Sequence, residues 1–344
     1  MNLEGHKNPC KISVVIPNWN GMDYLPDCLL SLQNQTLGDF EFIMVDNGSS
    51  DNSVDFIRTN YPGAKLITLP ENTGFARACN LGIGAAEGRY VALLNNDTMP
   101  MPPWLESLIN AAERDERIGM VASKILLNLE TREIDSVGML LYPDGIGRQR
   151  GRGEIDNGQF DQEEEILFPS GCAALYKMEM LQEIGLFDED FFAYGEDTDI
   201  GLRGRLAGWK AVFAPRAVVY HRYSASAGKY SSFKAMHLER NRIWVAVKNF
   251  PLTWVFKMPF YTLIRYTTQL YGVFIGKGSA ARYKENLSVR DMLFSVIKAN
   301  FLAMKGLPSM LKKRKAIKRT ILQDQFIAIL KRYRISLTDL VFKN

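Results

Sequence analysis

Strand-like and helix-like patterns alternate through the first hundred residues, and this alternation restricts the possible folds more than any other feature of the chain. Runs rich in β-branched and apolar residues are typical of buried parallel strands; they lie at 11–17, 40–51, 64–70 and 89–97. Between them, apolar residues recur at helical spacing over 23–35, 52–61 and 73–86. This β-α-β-α-β-α-β order predicts an α/β fold with a doubly wound, mostly parallel sheet covered on both faces.

Each predicted strand runs into a polar segment at its carboxyl end. The four segments are Pro-Asn-Trp-Asn-Gly at 17–21, Asp-Asn-Gly-Ser-Ser at 46–50, Pro-Glu-Asn-Thr-Gly at 70–74 and Asn-Asn-Asp-Thr at 95–98. Open α/β sheets bind their ligands outside the carboxyl ends of the strands. The sequence therefore predicts a polar ligand that lies across this edge of the sheet.

Three common ligand-binding or catalytic motifs are missing from the sequence. The first strand is followed by PNWNG rather than GxGxxG, which excludes dinucleotide binding of the Rossmann type. The chain also lacks GxxxxGK[ST], the phosphate loop, and GxSxG, the nucleophile elbow of α/β-hydrolases. The chemistry must therefore come from acidic groups.

Charge is unevenly distributed along the chain. The 344 residues carry 42 Lys+Arg against 38 Asp+Glu, a formal net charge of +4. Residues 251–344 hold 18 of these basic side chains and only 4 of the acidic ones, so the remainder is acidic overall. This polarity indicates an acidic part that can hold a metal ion and a basic part that binds an anionic surface.

The cysteines and the N-terminus indicate a reducing compartment. Cys10, Cys28, Cys79 and Cys172 are far apart and form no CxxC, which favours buried reduced thiols over disulfides or a zinc site. The first residues lack a basic stretch followed by an apolar run and a small-residue cleavage site. We therefore expect a cytoplasmic location.

The middle of the chain holds a polar excursion and a second core block. Residues 128–165 are Gly-rich and charged, which predicts a mobile loop or hairpin excursion over a site. The second block, 168–221, contains a predicted helix at 197–207 and two predicted short strands at 211–215 and 217–221. After about residue 225 the pattern changes to long basic amphipathic helices. We expect a catalytic domain over 1–225 and a helical C-terminal region over 226–344.

Acidic groups near the strand ends are the first candidates for chemistry. Asp97 directly follows an apolar strand and has Asn95 and Asn96 beside it. Such oxygen ligands suit a hard divalent cation that would neutralise a diphosphate; the alternative is a turn aspartate that caps the next segment. Asp46 can accept hydrogen bonds from a nucleobase or a ribose, or it can form an Asx-turn.

Three further sets of residues are candidates for the site. Trp19 can stack on a base or pack on the core, and Arg77 and Asn80 lie near the start of one helix face, where phosphate can bind. His221 ends a predicted strand and is a candidate metal ligand, although a strand-end histidine is more often structural.

The pair Glu196-Asp197, with Asp199 nearby, is a dense acidic cluster between an aromatic stretch and a predicted helix. Apolar flanks raise the pKa of a carboxyl group and like charges couple to it, which suits a general base. The alternative is a solvated first turn whose acidic side chains favour the helix dipole.

Seven segments along 11–226 occur in an order that resembles the family-2 glycosyltransferases. They are VVIPNWNG, VDNGSSDNS, ENTGFARACNLGI, LLNNDT, SGCAALYK, FFAYGEDTDIGLRGRLAGW and VVYHRYSAS. The resemblance is strongest to the bacterial rhamnosyltransferase-like branch, and HLERNRIWVAVKNFP in the tail also resembles it. It implies a single GT-A nucleotide-sugar domain.

The resemblance also implies a role for each site residue. Those on the donor side are Pro17, Trp19, Asn20, Asp46, Arg77, Asn80, Asn95 and Asn96. Asp97 would be the metal ligand of a DxD-type motif, with His221 the second ligand; Asn95 in the first position leaves fewer charged ligands. The acceptor side would contain Gly171 and Cys172. Asp197, paired with Glu196, would be the catalytic base, and Arg203 would support it or the diphosphate.

The reaction implied is that of a metal-dependent, inverting glycosyltransferase of the hexosyltransferase class. Mg²⁺ or Mn²⁺ would stabilise the departing nucleoside diphosphate while a general base deprotonates an acceptor hydroxyl. The branch suggests dTDP-rhamnose as donor and a glycan or lipid-linked acceptor, in surface polysaccharide or cell-wall assembly.

The tail has two interpretations. In 243–276, Lys248, Lys257 and Arg265 interrupt each apolar run before it reaches the ~18–20 residues of a spanning helix. Aromatic residues among sparse cations instead favour a helix in the membrane interface, and the basic cluster at 305–323 favours anionic lipid. We expect a peripheral protein on the cytoplasmic face of the inner membrane. The alternative is that these helices pack on the catalytic domain or form a homo-oligomer.

Two other functions compete with sugar transfer. A nucleotidyltransferase that makes nucleotide sugars requires a Gly-rich loop with an arginine after the first strand, and PNWNG does not supply it. A non-catalytic membrane or nucleic-acid binding protein would use the basic tail alone, but it would not need the ordered segments of 11–226. We therefore expect no nucleic-acid partner.

Overall fold

A mixed, mostly parallel sheet forms the centre of the computed structural model, which describes residues 10–127, 130–222, 231–286 and 288–343. Its strands and those of a small hairpin are β1 Ile12–Asn18, β2 Phe40–Asp46, β3 Lys65–Thr68, β4 Tyr90–Leu94, β5 Thr98–Pro100, β6 Ile118–Leu126, β7 Ile134–Ser136, β8 Met139–Leu141, β9 Gly147–Gln149, β10 Glu164–Glu165, β11 Ala173–Lys177 and β12 Lys210–His221. The sheet order is β10-β12-β6-β11-β4-β1-β2-β3, with β5 paired to β12 and β7 to β6.

The helices cover both faces of this sheet and form the C-terminal region. They are α1 Leu25–Gln33, α2 Ser53–Asn60, α3 Phe75–Gly84, α4 Trp104–Ala112, α5 Met178–Ile184, α6 Glu196–Leu206, α7 Ser232–Asn249, α8 Leu252–Phe274, α9 Ser279–Asn286, α10 Val289–Ala316, α11 Gln323–Arg332 and α12 Leu337–Phe342; a 3-10 turn spans Glu189–Phe191. None of the helices in the described ranges is long and apolar enough to cross a membrane.

The predicted doubly wound core is confirmed. Strand β1 pairs in parallel with β2 and β4, and β2 pairs in parallel with β3. All five residues of β4 are buried, and they alternate between two apolar clusters: Val91 and Leu93 face one, Ala92 and Leu94 the other. Because side chains alternate along a strand, this pattern requires a packed layer on each face of the sheet.

The second core block completes the sheet in a way that the sequence only partly predicts. Strand β11 inserts antiparallel between β4 and β6, and β12 runs parallel to β6. The two short strands predicted at 211–215 and 217–221 are wrong, since β12 is one strand of 12 residues. Its register with β6 shifts between Ala214 and Val218, where Pro215 has no N–H to donate to the ladder.

The polar excursion is a packed structure in its described part, 130–165, so the hairpin alternative is correct. Strands β8 and β9 form an antiparallel hairpin, while β7 pairs with β6. Buried Asp156 lies 3.1 Å from Lys124 Nζ and 2.7 Å from an Arg132 nitrogen. Desolvated opposite charges anchor the excursion to β6, because neither partner would be stable alone in this environment.

Helix α7 packs on the sheet domain rather than lying apart from it. Its residues Ile243, Val245 and Ala246 belong to the same apolar cluster as the helices that cover the sheet. Helix α10 packs along α7, where Trp244 Nε1 donates to the carbonyl of Ala303 at 3.0 Å. The predicted boundary at 225/226 falls in 223–230, outside the described residues, and stays a prediction.

Two of the three cations that interrupt the apolar tail segment are buried in ion pairs. Lys248 Nζ lies 2.6 Å from Asp188 and 2.9 Å from Asp199. Arg265 Nε lies 2.6 Å from Asp144 Oδ2, and its Nη1 lies 2.8 Å from Glu239. Their interpretation as cations at a membrane surface is wrong, because acidic groups distant in sequence neutralise them inside the protein.

Candidate functional site

A cavity of about 1190 Å³ opens at the carboxyl edge of the sheet. Its floor comes from the ends of β1 and β4, and one wall comes from the first turn of α6. The β8–β9 hairpin and the helices α7, α8 and α10 supply further lining residues. The predicted residues that line it are Pro17, Trp19, Asn95, Asn96, Asp97, Gly171, Cys172, Glu196, Asp197 and His221. Ten of the fifteen predicted site residues therefore line one cavity.

Asn18, which the sequence analysis did not single out, joins the ends of three strands at the cavity. Its Nδ2 donates to Asp46 Oδ1 at 2.9 Å, and its Oδ1 accepts from Asn96 Nδ2 at 2.6 Å. Asp46 also accepts from the backbone N–H of Ser49 at 3.0 Å. Asp46 is buried behind the lining residues, so in this arrangement it orients Asn18 and the turn that follows β2.

Trp19 and Asn20 lie on the turn after β1, but only Trp19 lines the cavity. The Trp19 side chain is half-exposed, so its ring is accessible for stacking on a nucleobase. Asn20 has a φ of 49°, a left-handed conformation that asparagine tolerates better than most residues. Its Oδ1 accepts from the Ser50 N–H at 2.7 Å. Asn20 therefore fixes the turn rather than lining the cavity.

Arg77 and Asn80 lie outside the cavity, contrary to the predicted phosphate contact. Phe75, at the start of α3, lines the cavity, but the helix turns the next residues toward 187–189. Asn80 Nδ2 donates to the Phe187 carbonyl at 2.9 Å, and its Oδ1 accepts from the Phe187 N–H at 3.0 Å. Half-exposed Arg77 lies 4.0 Å from Glu189. Both side chains serve the packing of α3 against this segment.

Arg203 is also structural. Its Nε donates to Asp199 Oδ2 at 2.9 Å, and its Nη atoms donate to three carbonyls in the segment 184–186. It is buried and lies away from the cavity lining. The predicted contact of Arg203 with Asp197 or with a diphosphate is therefore wrong. The i,i+4 spacing between Asp199 and Arg203 was the sequence signal for an ion pair within one helix.

Asp197 lies in the first turn of α6 and lines the cavity. Its Oδ2 accepts from the Gly171 N–H at 3.2 Å, and its Oδ1 accepts from the Thr198 N–H at 2.6 Å. Burial raises the pKa of Asp197, and these hydrogen bonds offset part of that effect. The arrangement leaves a fixed carboxylate with raised basicity, which suits a general base.

Glu196 is buried beside this carboxylate. Its Oε2 accepts no hydrogen bond from any residue in the described ranges. Burial, and then the negative charge of Asp197, raise the pKa of Glu196 well above its usual range. A carboxyl group in this position favours its protonated form.

Helix α7 holds the loop that precedes α6, a role that the sequence analysis missed. Asn241 Nδ2 donates to the carbonyls of Phe191 and Ala193, at 3.0 and 2.9 Å, and also to that of Tyr194. Phe192 and Tyr194 have φ angles of 65° and 67°, so this backbone is strained. The only sequence signal was a polar residue at a buried position of an amphipathic helix.

Asp97 and His221 meet because β5 pairs with the end of β12, where Thr98 lies opposite His221. Asp97 Oδ1 is 3.3 Å from His221 Nε2 and accepts no hydrogen bond within the described part of the chain. The nearby Asn95 Oδ1 is also buried without a partner there. Oxygen and imidazole donors of this kind fit Mg²⁺ or Mn²⁺.

The protein alone supplies few ligands for such an ion. Among the described residues, no group of three or more His, Cys, Asp or Glu side chains could hold a metal. Divalent ions in nucleotide-dependent sites often take one or two protein ligands together with water and substrate phosphates. Asp97 and His221 fit that mode of binding, in which a diphosphate completes the coordination.

Cys172, which was predicted on the acceptor side, lies beside this pair. The Cys172 carbonyl accepts from the Asn95 N–H at 2.8 Å. Burial raises the pKa of the Cys172 thiol, so it is an inert part of the wall rather than a nucleophile. All four cysteines are free; Cys28, Cys79 and Cys172 are buried, whereas Cys10 is partly exposed.

Comparison with known families finds two matching family models. The model of "Glycosyl transferase family 2" matches residues 13–185, just over half of the chain. The model of "Glycosyl transferase family group 2" matches residues 151–304 and so extends into the C-terminal helices.

Similar curated proteins include an N-acetylglucosaminyl-diphospho-decaprenol L-rhamnosyltransferase of Mycobacterium tuberculosis. It is 27% identical over 281 residues, which cover 72% of this chain and 89% of that protein. An uncharacterized glycosyltransferase, YibD of Escherichia coli, is 38% identical over 109 residues, 31% of each chain.

Two solved structures share the fold at low sequence identity. The structure of GalNAc-T7 with UDP, GalNAc and Mn²⁺ has a TM-score of 0.58 at 19% identity, covering 70% of this chain and 48% of that one. The mannosyltransferase PcManGT of Pyrobaculum calidifontis, in complex with GDP-Man and Mn²⁺, has a TM-score of 0.51 at 17% identity, covering 88% of each chain.

Proposed function

Because the chain belongs to glycosyltransferase family 2, whose members use nucleotide sugars, we propose that it transfers a sugar to an acceptor hydroxyl with inversion at the anomeric carbon. One observation carries the proposal: a single cavity brings Asp97 and His221 within 3.3 Å of each other and also contains the fixed carboxylate of Asp197. A donor diphosphate and an acceptor hydroxyl can therefore be held together.

Asp97 and His221 would hold Mg²⁺ or Mn²⁺ in this enzyme. The ion would supply Lewis-acid stabilisation of the negative charge on the leaving diphosphate. Two of the structural neighbours contain Mn²⁺, which supports the same assignment here. Asn95 and Asn96 line the cavity beside the pair and would contact the donor.

Asp197 would accept the proton of the acceptor hydroxyl. The Gly171 N–H holds Oδ2, and the N–H and hydroxyl of Thr198 hold Oδ1, which leaves one lone pair of Oδ2 for the proton of an acceptor. The deprotonated oxygen would then form a bond to the anomeric carbon as the bond to the diphosphate oxygen breaks. A single displacement on the face opposite the leaving group inverts the configuration.

The donor would contact Pro17 and Trp19 through its nucleoside. We propose dTDP-rhamnose, supported by the mycobacterial relative, whose name gives L-rhamnose as the transferred sugar and a diphospho-decaprenol acceptor. The same relative supports a lipid-linked acceptor, and we place the reaction in surface polysaccharide or cell-wall assembly.

Helices α8 and α10 support attachment to a membrane surface. Helix α8 exposes Phe256, Phe260 and Phe274, and α10 exposes Phe294 and Phe301. The same helices line the cavity through Leu270, Val273, Leu293 and Val296. An apolar face that continues into the cavity suits a peripheral enzyme on the cytoplasmic face of the inner membrane, whose acceptor carries a lipid.

A donor panel tests the proposal. The purified protein is incubated with Mn²⁺ and each common nucleotide sugar, including dTDP-rhamnose, and released nucleoside diphosphate is measured. We expect metal-dependent release from one donor. Because a general base contributes on the order of 10²–10⁴ in rate, Asp197→Asn should lower turnover by that factor and leave donor binding intact.

Two further variants make this test specific. Asp97→Ala should abolish metal-dependent release, whereas Asp55→Asn, at an exposed position of α2, should have no effect. Near-normal turnover by Asp197→Asn would show that another group is the base. If calorimetry detected no binding of any donor, the catalytic proposal would be wrong.

A further inference from the structure

Asp135, which lies on β7 of the polar excursion, contacts the proposed metal ligand His221. His221 Nδ1 is 2.9 Å from Asp135 Oδ2, while the other ring nitrogen, Nε2, is 3.3 Å from Asp97 Oδ1. Asp135 is 2% exposed and His221 is 6% exposed. The imidazole ring is therefore held between two buried carboxylates.

Strand pairing creates this contact. Ser136 of β7 lies opposite Ile125 of β6, and β6 is the parallel neighbour of β12, which ends at His221. Asp135 thus reaches the histidine from the side opposite Asp97. Arg152 pairs with the other oxygen of Asp135, so the carboxylate is held at both of its oxygen atoms.

The contact determines which ring nitrogen carries a proton. An ionised carboxylate can only accept hydrogen bonds, so Nδ1 is the donor in the bond to Asp135. Once Nε2 has released its proton, as the binding of a metal ion requires, its lone pair is directed toward Asp97. His221 Nε2 and Asp97 Oδ1, which lie 3.3 Å apart, can then both bind the same divalent ion.

We propose that Asp135 is a positioning residue for the metal site, which fixes the orientation and tautomer of His221. The inference rests on the proposed function, in which Asp97 and His221 hold the ion. The polar excursion then has a specific role, because β7 supplies the carboxylate that orients His221 at the end of β12.

The test compares two buried aspartates of the same excursion. Asp135→Asn and Asp156→Asn each replace an ion-paired carboxylate by an amide of the same shape, but Asp156 contacts Lys124 and Arg132 rather than His221. Binding of Mn²⁺ to the full-length protein is measured by electron paramagnetic resonance in the presence of UDP, GDP or dTDP. Thermal melting of each variant is recorded in parallel.

We expect Asp135→Asn to weaken Mn²⁺ binding about 10–100-fold, the usual effect of losing such a partner of a ligand. The amide can donate to Nδ1 and so favour the tautomer whose protonated Nε2 repels the ion. Asp156→Asn should keep the wild-type affinity for Mn²⁺ even if it melts at a lower temperature.

Each result decides between the inference and its alternatives. Wild-type Mn²⁺ affinity in a folded Asp135→Asn variant, with binding lost in Asp97→Ala, would overturn the role of Asp135 and leave the proposed function standing. Donor turnover in EDTA, with no Mn²⁺ binding by the wild type, would overturn both this inference and the metal assignment. If Asp135→Asn does not fold, Asp135→Glu, which displaces the carboxylate by one methylene, should weaken Mn²⁺ binding several-fold, and unchanged affinity would overturn the inference.

Discussion

Glu196 shows how a single residue of the site costs the protein stability. It is buried, and one of its carboxylate oxygens accepts no hydrogen bond from the described residues. Burial and the charge of Asp197 raise its pKa well above the usual range. The folded state therefore binds a proton more tightly at this position than the unfolded chain does, and the ionised form is destabilising.

We predict that Glu196→Gln stabilises the protein at neutral pH. The pKa of Glu196 is higher in the folded state than in the unfolded chain, where it is about 4.3. The stability that the protonated carboxyl group contributes is fully present below the unfolded pKa. It falls as the pH rises above that value and is completely lost above the folded pKa. The amide cannot ionise, so the variant should gain about 1–3 kcal/mol over the wild type at neutral pH and lose that advantage in acid. Urea unfolding at several pH values measures the difference.

Glu116→Gln is the matched control, since it makes the same change at an exposed position. It should leave the pH dependence of unfolding as in the wild type. If Glu196→Gln and the wild type had parallel stability curves from acid to neutral pH, Glu196 would not titrate between the folded and unfolded states.

At the scale of elements, α7 connects the C-terminal region to the loop at 191–195, which precedes α6. Asn241 binds the strained backbone at 191–194, and Lys248 pairs with Asp199 of α6. Burial alone would raise the pKa of Asp199, but Lys248 and Arg203 lower it to about 2. The ionised Asp199 and the Asn241 amide therefore fix both sides of the turn that presents Asp197.

We predict that Asn241→Leu destabilises the protein and slows catalysis. The leucine has a similar volume but no N–H groups, so buried carbonyls lose their donor at about 1–3 kcal/mol. The looser 191–194 backbone should also misplace Asp197, which lowers kcat more than it raises the KM for the donor. Denaturant unfolding and steady-state kinetics measure the two effects.

Asn300→Leu on α10 provides the comparison. Among the described residues, its amide donates to the Val296 carbonyl, one turn earlier in the same helix, at 2.8 Å. This substitution should leave kcat unchanged. Equal kinetic effects of the two substitutions would mean that Asn241 does not position the loop at 191–195.

The elements also show what could be predicted from the sequence. The first four strands and the polar residues at their ends followed from local periodicity, because buried parallel strands and their ligand edge have a local signature. Two short strands were predicted on either side of residue 216, one of them ending at Pro215. The structure has one continuous strand there, and the register shift next to Pro215 lies within it.

Contacts between distant segments could not be predicted in this way. Lys248 and Arg265 have the same local pattern as cations at a membrane surface, but Asp199 and Asp144 neutralise them from elsewhere in the chain. Asp135 had no motif, and its contact with His221 exists only because β7 pairs with β6. Periodicity reports the environment of a segment, not the identity of its partner.

At the scale of the whole molecule, an apolar face lies beside the cavity. Phe256 of α8 is 82% exposed and Phe274 is 88% exposed, and α10 presents Phe294, Ile297 and Phe301. A face of this kind is costly in water and usually marks a binding surface. On α10, exposed lysines flank the apolar stripe at every seventh residue, namely Lys298, Lys305 and Lys312. That arrangement matches an anionic bilayer, into which the rings insert while the lysines contact headgroups.

We predict that the full-length protein binds vesicles containing anionic phosphatidylglycerol and that Phe294→Ser with Phe301→Ser weakens this binding at least tenfold. Full burial of one phenylalanine contributes about 1.5–3 kcal/mol, so partial insertion of two rings accounts for this loss. Substituting Gln at Lys298, Lys305 and Lys312 should weaken binding at low salt, since each lysine near the surface contributes about 1 kcal/mol. Vesicle sedimentation over a range of lipid concentrations measures both effects.

Leu30→Ser is the control for these serine substitutions, because Leu30 is an exposed apolar residue on α1, far in sequence from both helices. It should sediment with vesicles as the wild type does. A stable homo-oligomer is the competing explanation, and gel filtration separates the two: a dimer that dissociates in the phenylalanine variant, with no vesicle binding by the wild type, would assign the face to a second copy of the chain. Because the same helices line the cavity, lipid binding through this face would also place the acceptor side of the site next to the membrane, where a lipid-linked hydroxyl can reach Asp197.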